Sequence, residues 1–143
     1  MRNRLVLCAV MAMATSSLAR AQESAKVQAT VQVPAKLDSF KDQQLELLLY
    51  EFDPRIAGKK ATQIDKHLNK TFSHATGKDT AVEITLGAKA TINPKMRYYI
   101  TVFVLDAGGK RTHIGEKDGK AGLCLVLTDG NPSKVTTIAR PVR

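Results

Sequence analysis

Three histidines, His67, His74 and His113, are the residues of this chain best suited to metal binding or acid–base work. Imidazoles ligate zinc and copper, and two or three of them beside a carboxylate make a hydrolytic metal site. Their spacing gives no such arrangement. His67 and His74 lie seven residues apart, His113 is far downstream, and no HxH, HExxH or CxxC accompanies them. A small hydrolase or metal-dependent enzyme using His67, His74 or His113 requires at least two of these rings to converge in one pocket with a carboxylate. The expectation is three unrelated surface histidines and no metal site.

The other reactive side chains are no better arranged. Asp38, Asp42, Glu46, Glu51 and Asp53 crowd a short stretch of sequence. A glycosidase carboxylate pair would also need a cleft and an aromatic sugar platform, and the chain has no Trp. There is no G-x-S-x-G elbow. Gly87, Gly108, Gly109, Gly119 and Gly122 read as turns and strand breaks, not as a phosphate cradle. Asn69-Lys70-Thr71 fits an N-glycosylation acceptor, which matters only in a eukaryotic secretory path. No catalytic or cofactor-binding residue is expected.

The N-terminal residues bear on location. Arg2 and Arg4 precede an apolar run from Leu5 to Ala14, and small residues follow up to Ala19-Arg20-Ala21. A positive start, a short apolar run and an A-x-A site form the pattern of a secretory signal peptide. The run is shorter than the ~20 residues a bilayer span needs. Cleavage is expected between Ala21 and Gln22, with one domain over 22–143, a periplasmic or secreted location and no transmembrane anchor. Cys8 leaves with the signal and does not occupy a lipid-attachment position. Cys124 then stands alone in an apolar run, as a buried hydrophobe does, and no internal disulfide can form.

The full chain carries 22 basic and 13 acidic residues, net +9. Three of those basic residues lie in the signal and no acidic ones, which leaves a mature charge of +6. The lysines are dispersed and do not interleave with aromatics, which argues against nucleic acid. A basic surface suits anionic lipid heads, acidic polysaccharide or an acidic partner, and is equally a solvated surface that happens to be basic.

The elements that must position these residues read as β throughout. Val27, Ala29, Val31 and Val33 alternate with polar residues, the period of a half-buried strand. Residues 45–52 are apolar on both sides in the middle, as in a central strand. Residues 63–73 fit a strand with Ile64, Lys66, Leu68, Lys70 and Phe72 on one face, lysines guarding an edge. The i, i+4 spacing of Ile64, Leu68 and Phe72 leaves a short helix as the alternative. Further strands are expected over 82–86, 97–105, 111–115, 123–128 and 135–142, separated by turn signals such as Asp106-Ala107-Gly108-Gly109 and Lys117-Asp118-Gly119. Seven or eight short strands so spaced imply an all-β fold, a single antiparallel β-sandwich of the Ig-like or prealbumin-like kind. Ile92-Asn93-Pro94-Lys95-Met96-Arg97-Tyr98 has the spacing of a tyrosine corner, a structural role for Tyr98.

With these strands in place the chain resembles the YbaY-like lipoproteins and the YscW-like lipoprotein chaperones, or pilotins, of type III secretion. The resemblance rests on Val27–Val33, on Leu45-Glu46-Leu47-Leu48-Leu49-Tyr50-Glu51-Phe52-Asp53 and on Ile92-Asn93-Pro94-Lys95-Met96-Arg97-Tyr98-Tyr99-Ile100-Thr101-Val102. Gly130-Asn131-Pro132-Ser133-Lys134-Val135 completes it. It implies a non-enzymatic role in the bacterial envelope, in some members escorting an outer-membrane component. This chain lacks the acylated Cys that follows the signal in such lipoproteins. The resulting expectation is an exported, non-catalytic domain with a binding or assembly role in the cell envelope or outside the cell, an envelope protein being the candidate partner. An exposed edge strand or the basic 55–78 segment would make the contact, by strand addition or charge complementarity.

Overall fold

The computed structural model describes residues 22–143. The expected signal peptide and its cleavage site at Ala21 lie outside or at the limit of the described residues.

Alternation of apolar and polar side chains builds nine strands and no helix among the described residues. They are β1 (Val27–Val33), β2 (Phe40–Phe52), β3 (Thr62–His74), β4 (Thr80–Leu86), β5 (Arg97–Leu105), β6 (Arg111–Lys117), β7 (Lys120–Ala121), β8 (Cys124–Val126) and β9 (Lys134–Pro141). They form one hydrogen-bonded path, β3-β2-β5-β6-β9-β1-β4, with β7 on β6 and β8 on β5. The expected all-β fold is present. The path is continuous, and the two end strands, β3 and β4, come close to each other, so the sheet is a nearly closed barrel. One pair departs from the antiparallel expectation: β1 runs parallel to β9.

The inward face is the apolar one. Val27, Ala29, Val31 and Val33 of β1, Leu45, Leu47 and Leu49 of β2, and Tyr98, Ile100, Val102 and Val104 of β5 fill the core. Each of these side chains is all but removed from water, and full burial of an aliphatic side chain contributes about 1.5–3 kcal/mol. Sequence spacing of two residues, repeated across paired strands, is what brings them to one side.

Residues 63–73 form a strand, not the alternative helix, and it is an edge strand. Its two faces differ from the single row expected. Leu49 pairs with Asp65 but Tyr50 pairs with Gln63, so Ile64 is an extra residue. Leu45 pairs with Asn69 but Gln43 with Phe72, a second shift. These bulges reverse the side-chain alternation. Ile64 and Phe72 turn to the core. Lys66 and Leu68 share the outer face with their partners Leu48 and Glu46. A third bulge places Lys41 and Asp42 opposite Ser73; Asp42 adopts φ 50°, and its N–H donates to Ser73 Oγ at 3.0 Å.

Two connections were legible. Asp118-Gly119 joins Lys117 to Lys120 with both φ positive, 52° and 78°, the left-handed pair of a two-residue hairpin. Tyr98 Oη accepts the Asn93 N–H at 2.9 Å, as the tyrosine corner requires. Gly87 has a different reason to be glycine. A Cβ there would lie 2.1 Å from the Ala25 carbonyl oxygen and 2.7 Å from Leu49 Cδ2.

Candidate functional site

Two of the three histidines come together, contrary to the expectation of unrelated surface residues. His74 is 4% exposed at the end of β3. His113 is half-buried on β6, not displayed on an exposed hairpin. Register explains this: His113 pairs with inward-facing Val104. The Phe40 ring lies between the two, 5.7 Å from the His74 ring and 5.2 Å from the His113 ring. His74 Nδ1 is 2.8 Å from Thr80 Oγ1, and His113 Nδ1 is 3.0 Å from Thr112 Oγ1. His74 Nε2 is buried and has no hydrogen-bond partner among the described residues. Burial pushes the His113 imidazole below its ordinary pKa, and the neighbouring His74 adds to the effect. His67 stands apart, opposite Leu47 in the middle of β3. Among the described residues no group of three or more His, Cys, Asp or Glu is placed to hold a metal.

The crowded carboxylates disperse in three dimensions. Glu46 faces outward, its Oε2 3.4 Å from Lys66 Nζ. Glu51 is of opposite parity and accepts the Tyr98 hydroxyl at 2.6 Å. Asp53 accepts both the backbone N–H and the guanidinium of Arg55, which holds its carboxyl down at about 2. Asp38 and Asp42 are exposed before and at the bulge. No two of them share a task. Cys124 is buried, and that burial raises its thiol pKa, the reverse of what a nucleophile needs.

The surface feature that sequence patterning could not locate is the outer face of β3, β2, β5 and β8. Here the strands carry apolar side chains on the side away from the core. Tyr50 of β2 and Tyr99 of β5 are paired across the ladder and stack at 5.0 Å, and Phe52 tilts against Tyr99 at 5.9 Å. Leu125 of β8 pairs with Tyr99 and is 41% exposed. Leu123, at the start of the same segment, is 57% exposed, and Leu68 of β3 is 39% exposed. Leu48 and Phe103 fill the middle of the face; the Arg111 guanidinium covers Phe103 at 3.8 Å from the ring centre. The two-sided apolarity of residues 45–52 was the signal. Central burial accounts for Leu48 but not for the half-exposed tyrosines. Exposed apolar and aromatic side chains gathered on one face are what an interaction site presents.

Several ion pairs lie on or near this face. Besides Glu46–Lys66, Arg97 meets Asp129 at 3.1 Å and Arg140 meets Glu116 at 3.4 Å. Such a face offers area and aromatic rings to a partner. Tyrosines are well suited to this, since they bury much surface with few rotatable bonds.

No family model and no curated protein matches the sequence. Among solved structures, an alternative pilotin from the type II secretion system of Vibrio cholerae matches over 82% of this chain and 96% of its own, with a TM-score of 0.57 and 20% identity. The chain has a pilotin-like fold. At that identity the likeness is one of fold. In fold it agrees with the pilotin-like pattern of the sequence; the neighbour is from a type II, not a type III, secretion system. No helix of the described residues is long and apolar enough to cross a membrane.

Proposed function

We propose that this chain is an exported, non-catalytic binding domain that escorts or assembles another protein in the bacterial envelope. The observation that carries the reading is the exposed apolar face centred on the Tyr50–Tyr99 stack, on a fold shared with a secretion pilotin. The YbaY-like and YscW-like pattern in the sequence supports the same role, and the signal-like residues 1–21 support export to the periplasm or beyond. In this reading residues 22–143 form one domain and the partner docks on the outer face of β2, β5 and β8. Among the described residues the paired histidines flank a phenylalanine, and Glu46, Glu51 and Asp53 are each engaged by a different partner.

The test is site-specific photo-crosslinking in producing cells. A photoreactive residue at Leu125 should give one dominant adduct with an envelope protein. The same residue at Lys89, an exposed position away from this face, should not. Leu125→Glu should abolish function without unfolding the chain. Equal labelling at both positions would overturn the docking surface, and turnover of a small substrate would overturn the non-catalytic role.

A further inference from the structure

The Phe40–His74–His113 cluster sits where the sheet is most weakly laddered. Phe40 opens β2 and His74 ends β3, and the two are partners. The next pair is Gln43 with Phe72, so the bulge at Lys41 and Asp42 interrupts the ladder beside them. β3 and β4 form no ladder at all. The contact of His74 Nδ1 with Thr80 Oγ1 at 2.8 Å closes the turn between them. That turn is tied to the segment before β2. Thr76 Oγ1 donates to the Leu37 carbonyl at 2.9 Å, and the Gly77 N–H to that of Ala35 at 2.7 Å. Residues 35–42 and 72–80 thus make one corner. Its aromatic contact with β6 is the Phe40 ring against the His113 ring, at 5.2 Å.

There is room for this corner to move. One cavity, about 350 Å³, is lined by Phe40 and His113; another, about 520 Å³, by Phe40 and His74. Phe40 and Ser39 border both, so the ring that separates the two imidazoles has open space beside it. The partly buried Phe40 also packs on Phe72, ring centres 5.6 Å apart, which ties the corner to the rim of the core.

The surroundings give a charge on His113 little support. No ion pair joins His74 or His113 to a carboxylate among the described residues. The charged groups that face the pair are Lys36 and Asp38, from the segment before β2, on the His113 cavity, and Lys41 of β2 on the His74 cavity. Their sum is positive. β4 presents only the Thr80 hydroxyl, β6 the Thr112 hydroxyl and β9 Pro141. Burial therefore lowers the His113 pKa from its ordinary 6.5, and His74 adds to the effect. Attraction of an imidazolium to the Phe40 ring does not outweigh that loss of hydration.

We infer that the cluster is an acid-operated latch: a proton on His113 undocks the corner of residues 35–42 and 72–80 from β6 while the rest of the barrel stays folded. Undocking hydrates the imidazolium and brings Phe40 and Phe72 to the surface. The open form takes up the proton more readily than the closed one. The corner is therefore docked above pH 6.5 and opens as pH falls below it, by up to about tenfold per pH unit for one proton. The result is apolar surface presented only in acid. It lies at the start of β2, away from the Tyr50–Tyr99 stack near the other end of that strand, so the latch stands or falls independently of the docking face.

The test is amide hydrogen exchange of the purified chain at about pH 7.5 and about pH 5, each rate divided by that of the unstructured sequence at the same pH. Protection over 35–42 and 72–80 should fall at least about fivefold in acid, while 98–104 of β5, read in the same sample, should hold. His113→Phe keeps a ring against Phe40 and should remove the acid-induced loss. Gln43→Glu acts in the opposite way. Thr112 Oγ1 lies 2.8 Å from Gln43 Oε1 and 3.0 Å from His113 Nδ1, so the new carboxylate would support the charged ring and keep the corner docked in acid. Should His113→Phe lose protection over 98–104 at neutral pH, Gln43→Glu decides alone. Unchanged protection of the corner in acid would overturn the inference. So would an equal loss over 98–104, which is global unfolding, or an undiminished acid effect in either folded variant.

Discussion

Glu51 Oε2 accepts the hydroxyl of Tyr98 at 2.6 Å, and the same hydroxyl accepts the Asn93 amide at 2.9 Å. One phenolic oxygen thus ties the loop before β5 to strand β2. Glu51 and Tyr98 are also direct ladder partners, so register supplies the contact at no additional ordering cost. The tyrosine corner is here a three-point junction. Tyr98→Phe should therefore cost about 1–3 kcal/mol, since it strands an amide and leaves a carboxylate without its donor. Urea melts of the two proteins measure this; an unchanged midpoint would mean the junction contributes nothing.

The same junction makes stability fall in alkali. Burial, and then the bond to Glu51, raise the Tyr98 pKa to about 12, so the folded chain holds this proton more tightly than the unfolded one. The contribution is complete below the unfolded value near 10 and is lost as pH rises from there through about 12. Melting temperatures between those limits should fall more steeply for the native chain than for Tyr98→Phe. Parallel slopes would reject the assignment.

At the acid end the sign reverses. Burial, reinforced by His74, lowers the His113 pKa from its ordinary 6.5. The unfolded chain then binds the proton more readily, so stability is present above 6.5 and declines as pH falls below it. His113→Phe, which keeps a ring against Phe40, should flatten that decline. His113→Ala should cost about 1–2 kcal/mol by loss of packing, where an exposed histidine would have cost almost nothing. Chemical melts at neutral pH and at about pH 5 separate the two effects.

Why some of this was legible and some was not follows from the kind of information each feature needs. Val27–Val33 and Arg97–Leu105 announce themselves because period-two apolarity is a local property. The Asp118-Gly119 turn and the Tyr98 corner are local too, fixed by a few consecutive residues. The Phe40–His74–His113 cluster is not. It joins the start of β2, the end of β3 and the middle of β6, and it depends on a bulge at Asp42 that no spacing rule displays. The β3 face departs from simple alternation for the same reason: two bulges reverse a parity that alternation takes to be constant. The outer apolar face was visible as two-sided apolarity of residues 45–52. Its meaning depends on no described element packing over the outer side of β2 and β5, and that is a matter of topology.

Processing is the most direct expectation to check. The A-x-A residues Ala19-Arg20-Ala21 follow a short apolar run, and signal peptidase acts after such small residues. Exported material should begin at Gln22, eight residues before the core strand reaches Thr30, with Ala25 already buried. Edman sequencing of protein from the periplasm or medium reads this directly. A retained Met1, or lipid on Cys8, would overturn it.

Gly87 tests the packing where the barrel nearly closes. Its φ is 72°, a conformation costly to other residues. Its absent Cβ would also collide with the Ala25 carbonyl oxygen at 2.1 Å and with Leu49 Cδ2 at 2.7 Å. The first obstacle is backbone and cannot rotate away. Gly87 N–H further supplies the bond to Asp65 that fastens β4 to β3. Gly87→Ala should therefore cost more than about 2 kcal/mol, the combined effect of left-handed strain and overpacking. Gly77→Ala is the control. It too has positive φ, 91°, but nothing lies within 4 Å of its Cβ position, so it should show the backbone penalty alone, about 1 kcal/mol. Equal losses in thermal melts would mean that the close approach to Ala25 is relieved elsewhere. A larger loss for Gly87→Ala, restored in part by Leu49→Val, would place the strain in the contact between the β4 terminus and the core.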